Sequence, residues 1–193
     1  MSDHTELREI PMGEETVFQG VLINVSHMQV KLPDGRTSLR EIVRHNGGVG
    51  IIPVDDQGNV TLVRQHRVSL DLLTLEVPAG KLDSKEEEPL LAARRELEEE
   101  TGLHAQRMEF LTAAIPTPGY CTERLFLYLA TGLSQHVAHL DPDEFLGVVK
   151  MPLEEACARV MSGEISDAKT ALGLMMAREK LRMAEPAPDF PIE

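Results

Sequence analysis

The chain has 193 residues, 42% of them hydrophobic, enough for one substantial domain or for a catalytic domain with a smaller appendage. Its 32 acidic residues against 19 Lys and Arg give a formal charge of -13, which disfavours nonspecific binding to nucleic acid or to an anionic membrane and requires cations to bridge the acids to any phosphorylated substrate. The N-terminus MSDHTELREIPMGEE has no apolar h-region, no apolar run approaches the roughly 18 residues of a membrane helix, and Cys121 and Cys157 form neither a disulfide framework nor a zinc site; the expected location is the cytoplasm.

From Thr16 to Val43 the sequence is rich in Val, Ile and Leu, and Pro33-Asp34-Gly35 reads as a hairpin turn between two strands. Gly47-Gly48 interrupts the chain. VGIIPV and VTLVRQHR then form two apolar runs joined by the turn Asp55-Asp56-Gln57-Gly58-Asn59. A short extended run, Leu73 to Val77, ends at Pro78-Ala79-Gly80. Strong helix formers extend from about Glu86 to Thr101, closed by Gly102. Extended stretches are expected near Arg107 to Ala114, Arg124 to Ala130 and Phe145 to Met151, followed by helices at Leu153 to Met161 and about Asp167 to Met183. The expected organisation is an N-terminal antiparallel β segment over 1–46, a mixed α/β catalytic domain over 47–184, and a frayed tail over 185–193.

The informative segment is GKLDSKEEEPLLAARRELEEETGL, Gly80 to Leu103. At 100° per residue, Leu90, Ala93, Leu97 and Thr101 share one helical stripe, while Glu96, Glu99 and Glu100 fall at spacings of three and four beside it. Carboxylates gathered this way repel unless neutralised, and a hard divalent cation with oxygen ligands is the natural neutraliser. Arg95, four residues before Glu99, is placed to orient it.

Gly80, Glu87, Arg95, Glu96, Leu97, Glu99, Glu100, Gly102 and Leu103 match nine fixed positions over 24 residues of a known signature; the segment resembles the Nudix box. The spacing departs from the family's by one residue, six rather than five between Gly80 and Glu87, which leaves open whether Glu86, Glu87 or Glu88 fills the supporting role of the first box glutamate. The resemblance implies a Nudix α/β/α sandwich with a mixed sheet. It also implies Mg²⁺, Mn²⁺ or another divalent cation held by Glu96, Glu99 and Glu100 with the Ala79 carbonyl or its neighbour, and cleavage of a pyrophosphate linkage.

From about Val17 to Met176 the chain resembles the ADP-ribose pyrophosphatase branch, whose members exchange an N-terminal β-domain across a homodimer and carry a proline sixteen residues beyond the last box glycine. Gly102 plus sixteen is Pro118. Pro-Gly alone marks a turn; its offset from the box makes Thr117 to Glu123 resemble the branch's substrate loop, with Pro118 and Gly119 at its tip and Glu123 toward the ribose region. LREIVRHNGG and LVRQHR resemble segments that bring arginines to the phosphates, a role the resemblance gives to Arg40 and Arg67, whose guanidinium groups suit bidentate contacts. Phe18 is placed to stack on adenine from the partner subunit or to fill a core. The branch's general base lies on an acidic loop matched by Asp141-Pro142-Asp143-Glu144-Phe145, with Glu144 the best alignment. His45, His66 and His104 lack metal-ligand spacing and read as bystanders. The leading expectation is hydrolysis of ADP-ribose to AMP and ribose 5-phosphate, with no nucleic-acid or membrane partner. The alternatives are another nucleoside diphosphate sugar, such as a GDP-sugar or ADP-sugar, or a non-catalytic nucleotide-sensing domain; the latter usually loses a box carboxylate, and Glu96, Glu99 and Glu100 are all present.

Overall fold

The computed structural model describes residues 5–139 and 145–184. They belong to two units, one formed by the chain up to Gly47 with Ile115–Arg124, the other by Gly48–Ala114 and the chain from Leu125 onward. In the first unit β1 (Ile10–Gln19), β2 (Asn24–Lys31) and β3 (Thr37–Arg44) form an antiparallel sheet in that order. The β2–β3 hairpin closes at the expected turn, where Gly35 N donates to Leu32 O at 2.9 Å and Leu32 N to Arg36 O at 2.7 Å. β1 begins at Ile10 rather than Thr16, and all ten of its residues are exposed. The loop from Ile115 is tied to β3, with Val43 N donating to Tyr120 O at 2.7 Å and Thr122 N to Val43 O at 3.0 Å.

The second unit contains two further sheets. β10 (Leu146–Pro152), β5 (Asn59–Arg67) and β6 (Leu72–Glu76) pair antiparallel in that order. β7 (Ala79–Lys81), β4 (Gly48–Pro53), β9 (Leu125–Gln135) and β8 (Leu103–Ala114) form a mixed sheet, with β4 and β9 parallel and the outer pairs antiparallel. The helices are α1 (Pro89–Thr101), α2 (Leu153–Met161) and α3 (Ala168–Ala184).

Side chains alternate across a strand, and β4 and β9 are apolar on both faces. Val49 and Ile51 of β4 with Tyr128 and Ala130 of β9 pack against Ala92, Ala93 and Leu97 of α1. Ile52 with Leu127 and Leu129 packs instead with Ala156 and Cys157 of α2 and Leu174 and Ala177 of α3. Helices therefore cover both faces of the mixed sheet, the α/β/α arrangement expected. Burying each such Leu, Ile or Val is worth roughly 1.5–3 kcal/mol, which makes this core the rigid support for α1.

α1 starts three residues later than expected. Pro89 occupies the first turn, where its missing N–H costs no helix bond, and it biases Glu88 to an extended conformation, φ -73° and ψ 119°. At the other end Gly102 adopts φ 68°, and its N–H closes the helix on Glu98 O at 2.8 Å. Among the described residues no helix is long and apolar enough to cross a membrane.

Candidate active site

The expected stripe of α1 is the buried one: Ala93, Leu97 and Thr101 are buried and Leu90 packs against the same cluster. Glu96 and Glu100 lie at the margin of this stripe and are drawn in with it, to 8% and 2% exposure, whereas Glu99 remains a third exposed. Buried carboxylates require donors or counter-charges. Glu100 Oε2 accepts the Ala79 N–H at 3.0 Å, which fastens the C-terminal turn of the helix to β7. The Glu96 carboxylate lies directly over Gly80, so a Cβ there would collide with it; glycine is required for the space it leaves.

Arg95 offsets part of the remaining charge. Its Nη1 donates to Glu96 Oε1 at 2.8 Å and to Glu99 Oε2 at 2.9 Å. Burial opposes the charge of the guanidinium, but the fields of Glu96 and Glu99 outweigh it and raise the Arg95 pKa. Of the three glutamates left open by the spacing, Glu87 is the one that approaches this arginine, with Oε1 3.6 Å from Arg95 Nη2, while its Oε2 accepts Asp83 N–H at 2.6 Å.

A second charged cluster, invisible in the local sequence, lies at the end of β6. Glu76, 2% exposed, accepts Arg67 Nε at 2.7 Å and Nη2 at 2.6 Å, Thr74 Oγ1 at 2.6 Å, and the ammonium of Lys169 from α3. Burial pushes the Glu76 carboxyl up, but Arg67 and Lys169 overcome this and hold it at about 2. Arg67, raised by its bonds to Glu76 and opposed by burial, also feels the charges of Asp167 and Glu100. Arg67 was expected from the sequence; Glu76, Asp167 and Lys169 were missed, because nothing local links residues 93 positions apart.

The other sequence candidates lie in the first unit. Arg40 is held by Glu9, with Nε to Oε2 at 3.0 Å and Nη2 to Oε1 at 2.5 Å. Phe18 is 54% exposed on β1, so it fills no core within this chain. Pro118 and Gly119 sit in a turn closed by Cys121 N to Thr117 O at 3.0 Å, and Glu123 Oε1 approaches His45 Nδ1 at 3.7 Å. Glu144, with Asp141 and Asp143, lies outside the described residues. His66 pairs with Asp71, and His104 stacks on His136 with centroids 4.0 Å apart.

An oxygen-only donor set on one helix suits a hard divalent cation better than a soft one. Among the described residues no three such side chains are already gathered to hold an ion; Arg95 bridges two of the carboxylates instead. The donor chemistry nevertheless fits a cation on the α1 acids, and the neighbouring arginine suits a phosphate-bearing ligand.

An α/β/α sandwich that carries acids and a fixed arginine on one helix is the frame of a hydrolase domain. The NUDIX domain model matches residues 44–171, and the chain belongs to the Nudix family. It is 41% identical over 176 residues to the ADP-ribose pyrophosphatase of Bacillus subtilis (strain 168), covering 90% of this chain and 95% of that one. It is 40% identical to the methanol dehydrogenase activator of Bacillus methanolicus over 83% of this chain and 87% of the relative. The crystal structure of an ADP compounds hydrolase superposes with a TM-score of 0.83 at 25% identity, covering 93% of this chain and 97% of that one.

Proposed function

We propose that the protein is a divalent-cation-dependent hydrolase that cleaves the pyrophosphate linkage of ADP-ribose, with water, to AMP and ribose 5-phosphate. Water attacks one phosphorus, the bridging P–O bond breaks, and the bridging oxygen leaves on the other phosphate. The observation that carries the reading is the pair of buried carboxylates on α1, Glu96 over Gly80 and Glu100 on the Ala79 N–H, with Glu99 beside them. The names and high coverage of the relatives support the choice of substrate.

Mg²⁺, held by Glu96, Glu99 and Glu100 with the Ala79 carbonyl, would polarise the phosphoryl oxygens and offset charge on the leaving phosphate. Arg95 bridges and orients Glu96 and Glu99, and must share them for the ligand set to close. Arg67, clamped by Glu76, presents a fixed cation to a phosphate. We assign the water's proton to Glu144, the supporting box position to Glu87, the ribose contact to Glu123 on the loop of Pro118 and Gly119, a second phosphate contact to Arg40, and adenine stacking to Phe18.

The first unit is proposed to be exchanged in a homodimer, since exposed Ile10, Met12, Val17 and Phe18 on β1 leave apolar surface for a second copy to cover. A cytoplasmic location fits Cys121 and Cys157, both free thiols. The test is incubation of ADP-ribose with and without Mg²⁺, beside GDP-mannose and an ADP-sugar, with products separated by chromatography. AMP and ribose 5-phosphate formed only with the cation support the proposal; preferential turnover of another sugar nucleotide replaces the substrate, and no turnover of any refutes catalysis.

A further inference from the structure

Lys169 is an unusual residue for its position. It lies in the first turn of α3, where the helix dipole disfavours a cation, and its side chain is only 11% exposed. A buried ammonium is tolerated when paired, and Lys169 has two partners, the Glu76 carboxylate and Asp167 Oδ2 at 3.0 Å. Asp167 is itself fixed: the same oxygen accepts Thr170 N–H at 3.0 Å and Thr170 Oγ1 at 2.6 Å. Thr170 Oγ1 in turn accepts the N–H of Val77, the residue after Glu76, at 2.9 Å. The start of α3 and the end of β6 are therefore joined twice, once through backbone and once through charge.

The bonds at Glu76 give this junction a direction. One oxygen takes Arg67 Nε and Thr74 Oγ1, the other takes Arg67 Nη2 and Lys169 Nζ. A carboxylate with two donors on each oxygen cannot turn without breaking bonds. Its bidentate grip sets the plane of a guanidinium that keeps 40% of its side chain exposed for a ligand. The four charges of Arg67, Glu76, Asp167 and Lys169 cancel, so Glu76 is ionised and held rigid between two cations.

We propose that Lys169 is a positioning residue for substrate binding: through Glu76 it fixes the plane in which Arg67 meets the diphosphate. This rests on the reading above in which Arg67 contacts a phosphate. With Lys169 removed, one Glu76 oxygen loses a donor, the carboxylate turns, and Arg67 follows it.

The test is a double-mutant cycle on ADP-ribose hydrolysis with Lys169→Met, Arg67→Ala and the pair, each checked by thermal melting. Lys169→Met should lower kcat/KM about tenfold in the wild-type background, mainly through KM, and less than about twofold further in the Arg67→Ala background. Lys169→Arg, which keeps a cation, should recover most of the loss. Equal falls in both backgrounds, or no fall in the first, overturn the proposal while leaving Arg67 as a phosphate contact. If Arg67→Ala alone leaves kcat/KM unchanged, the underlying assignment has failed and the proposal falls with it. Should Lys169→Met not fold, Lys169→Gln goes through the same cycle with the same criteria.

Discussion

The Glu76 cluster makes a quantitative prediction about acid stability. Its carboxyl is lowered from an ordinary 4.5 to about 2 in the folded chain, so the group contributes stability that is present above the unfolded value and is lost as pH falls through the folded one. At about 1.4 kcal/mol per pH unit, that gap corresponds to on the order of 3 kcal/mol lost between about pH 5 and pH 2. Asp55, also lowered to about 2 through Lys150 and Asn59 against the effect of its burial, titrates over the same window. The wild type alone therefore cannot isolate Glu76, and the perturbation is Glu76→Gln, compared with wild type by urea unfolding at half-unit steps from pH 6 to pH 2. The wild-type advantage should shrink by about 3 kcal/mol across that range as Glu76 becomes protonated and neutral like its replacement. A difference that stays constant with pH would refute the claim that Arg67 and Lys169 hold this carboxylate ionised.

Gly80→Ala forces the Glu96 carboxylate from its seat, and turnover should fall by roughly 10- to 100-fold, the scale for misplacing a functional group by about 1 Å; a rate within twofold of wild type would show that Glu96 need not lie there. Glu144→Gln should lower kcat far more than it changes KM, with Asp141→Asn and Asp143→Asn as controls; if a control loses the rate while Glu144→Gln keeps it, the base is that aspartate. Small-angle scattering at micromolar concentration should give the mass of a dimer, since an exposed ten-residue edge strand in a three-stranded sheet leaves apolar surface uncovered; a monomer mass contradicts the exchange.

The acidic helix was legible because one periodic pattern fixes both its buried face and its carboxylates, and the apolar runs marked β4 and the first half of β5, where both faces are buried. Boundaries were less legible where chemistry is mixed. IPMGEETVFQ carries polar, glycine and charged residues on an edge strand that buries neither face, so no alternation announces it before Thr16. Pro89 was a visible signal for the true start of α1, overshadowed by three helix-forming glutamates before it. β7 is three residues long, too short for any periodicity. The cluster at Glu76 required the fold itself: LEVPAG and SDAKT each look ordinary, and only the meeting of the first turn of α3 with the end of β6 brings Lys169 and Thr170 onto Glu76 and Val77. The resemblance to the Nudix box supplied what the local chemistry could not, the expectation of a metal-binding face rather than a solvated acidic one.

The carboxylates of α1 are the centre of the proposed chemistry, and Glu100 tests them most directly, because Gln keeps an oxygen for the Ala79 N–H while removing the charge. Glu100→Gln should retain the wild-type circular dichroism spectrum and melt cooperatively, while kcat for ADP-ribose at saturating Mg²⁺ falls by at least about a hundredfold, the scale for one preorganised electrostatic group. A folded Glu100→Gln protein with an unchanged kcat would contradict a catalytic role for the α1 carboxylates.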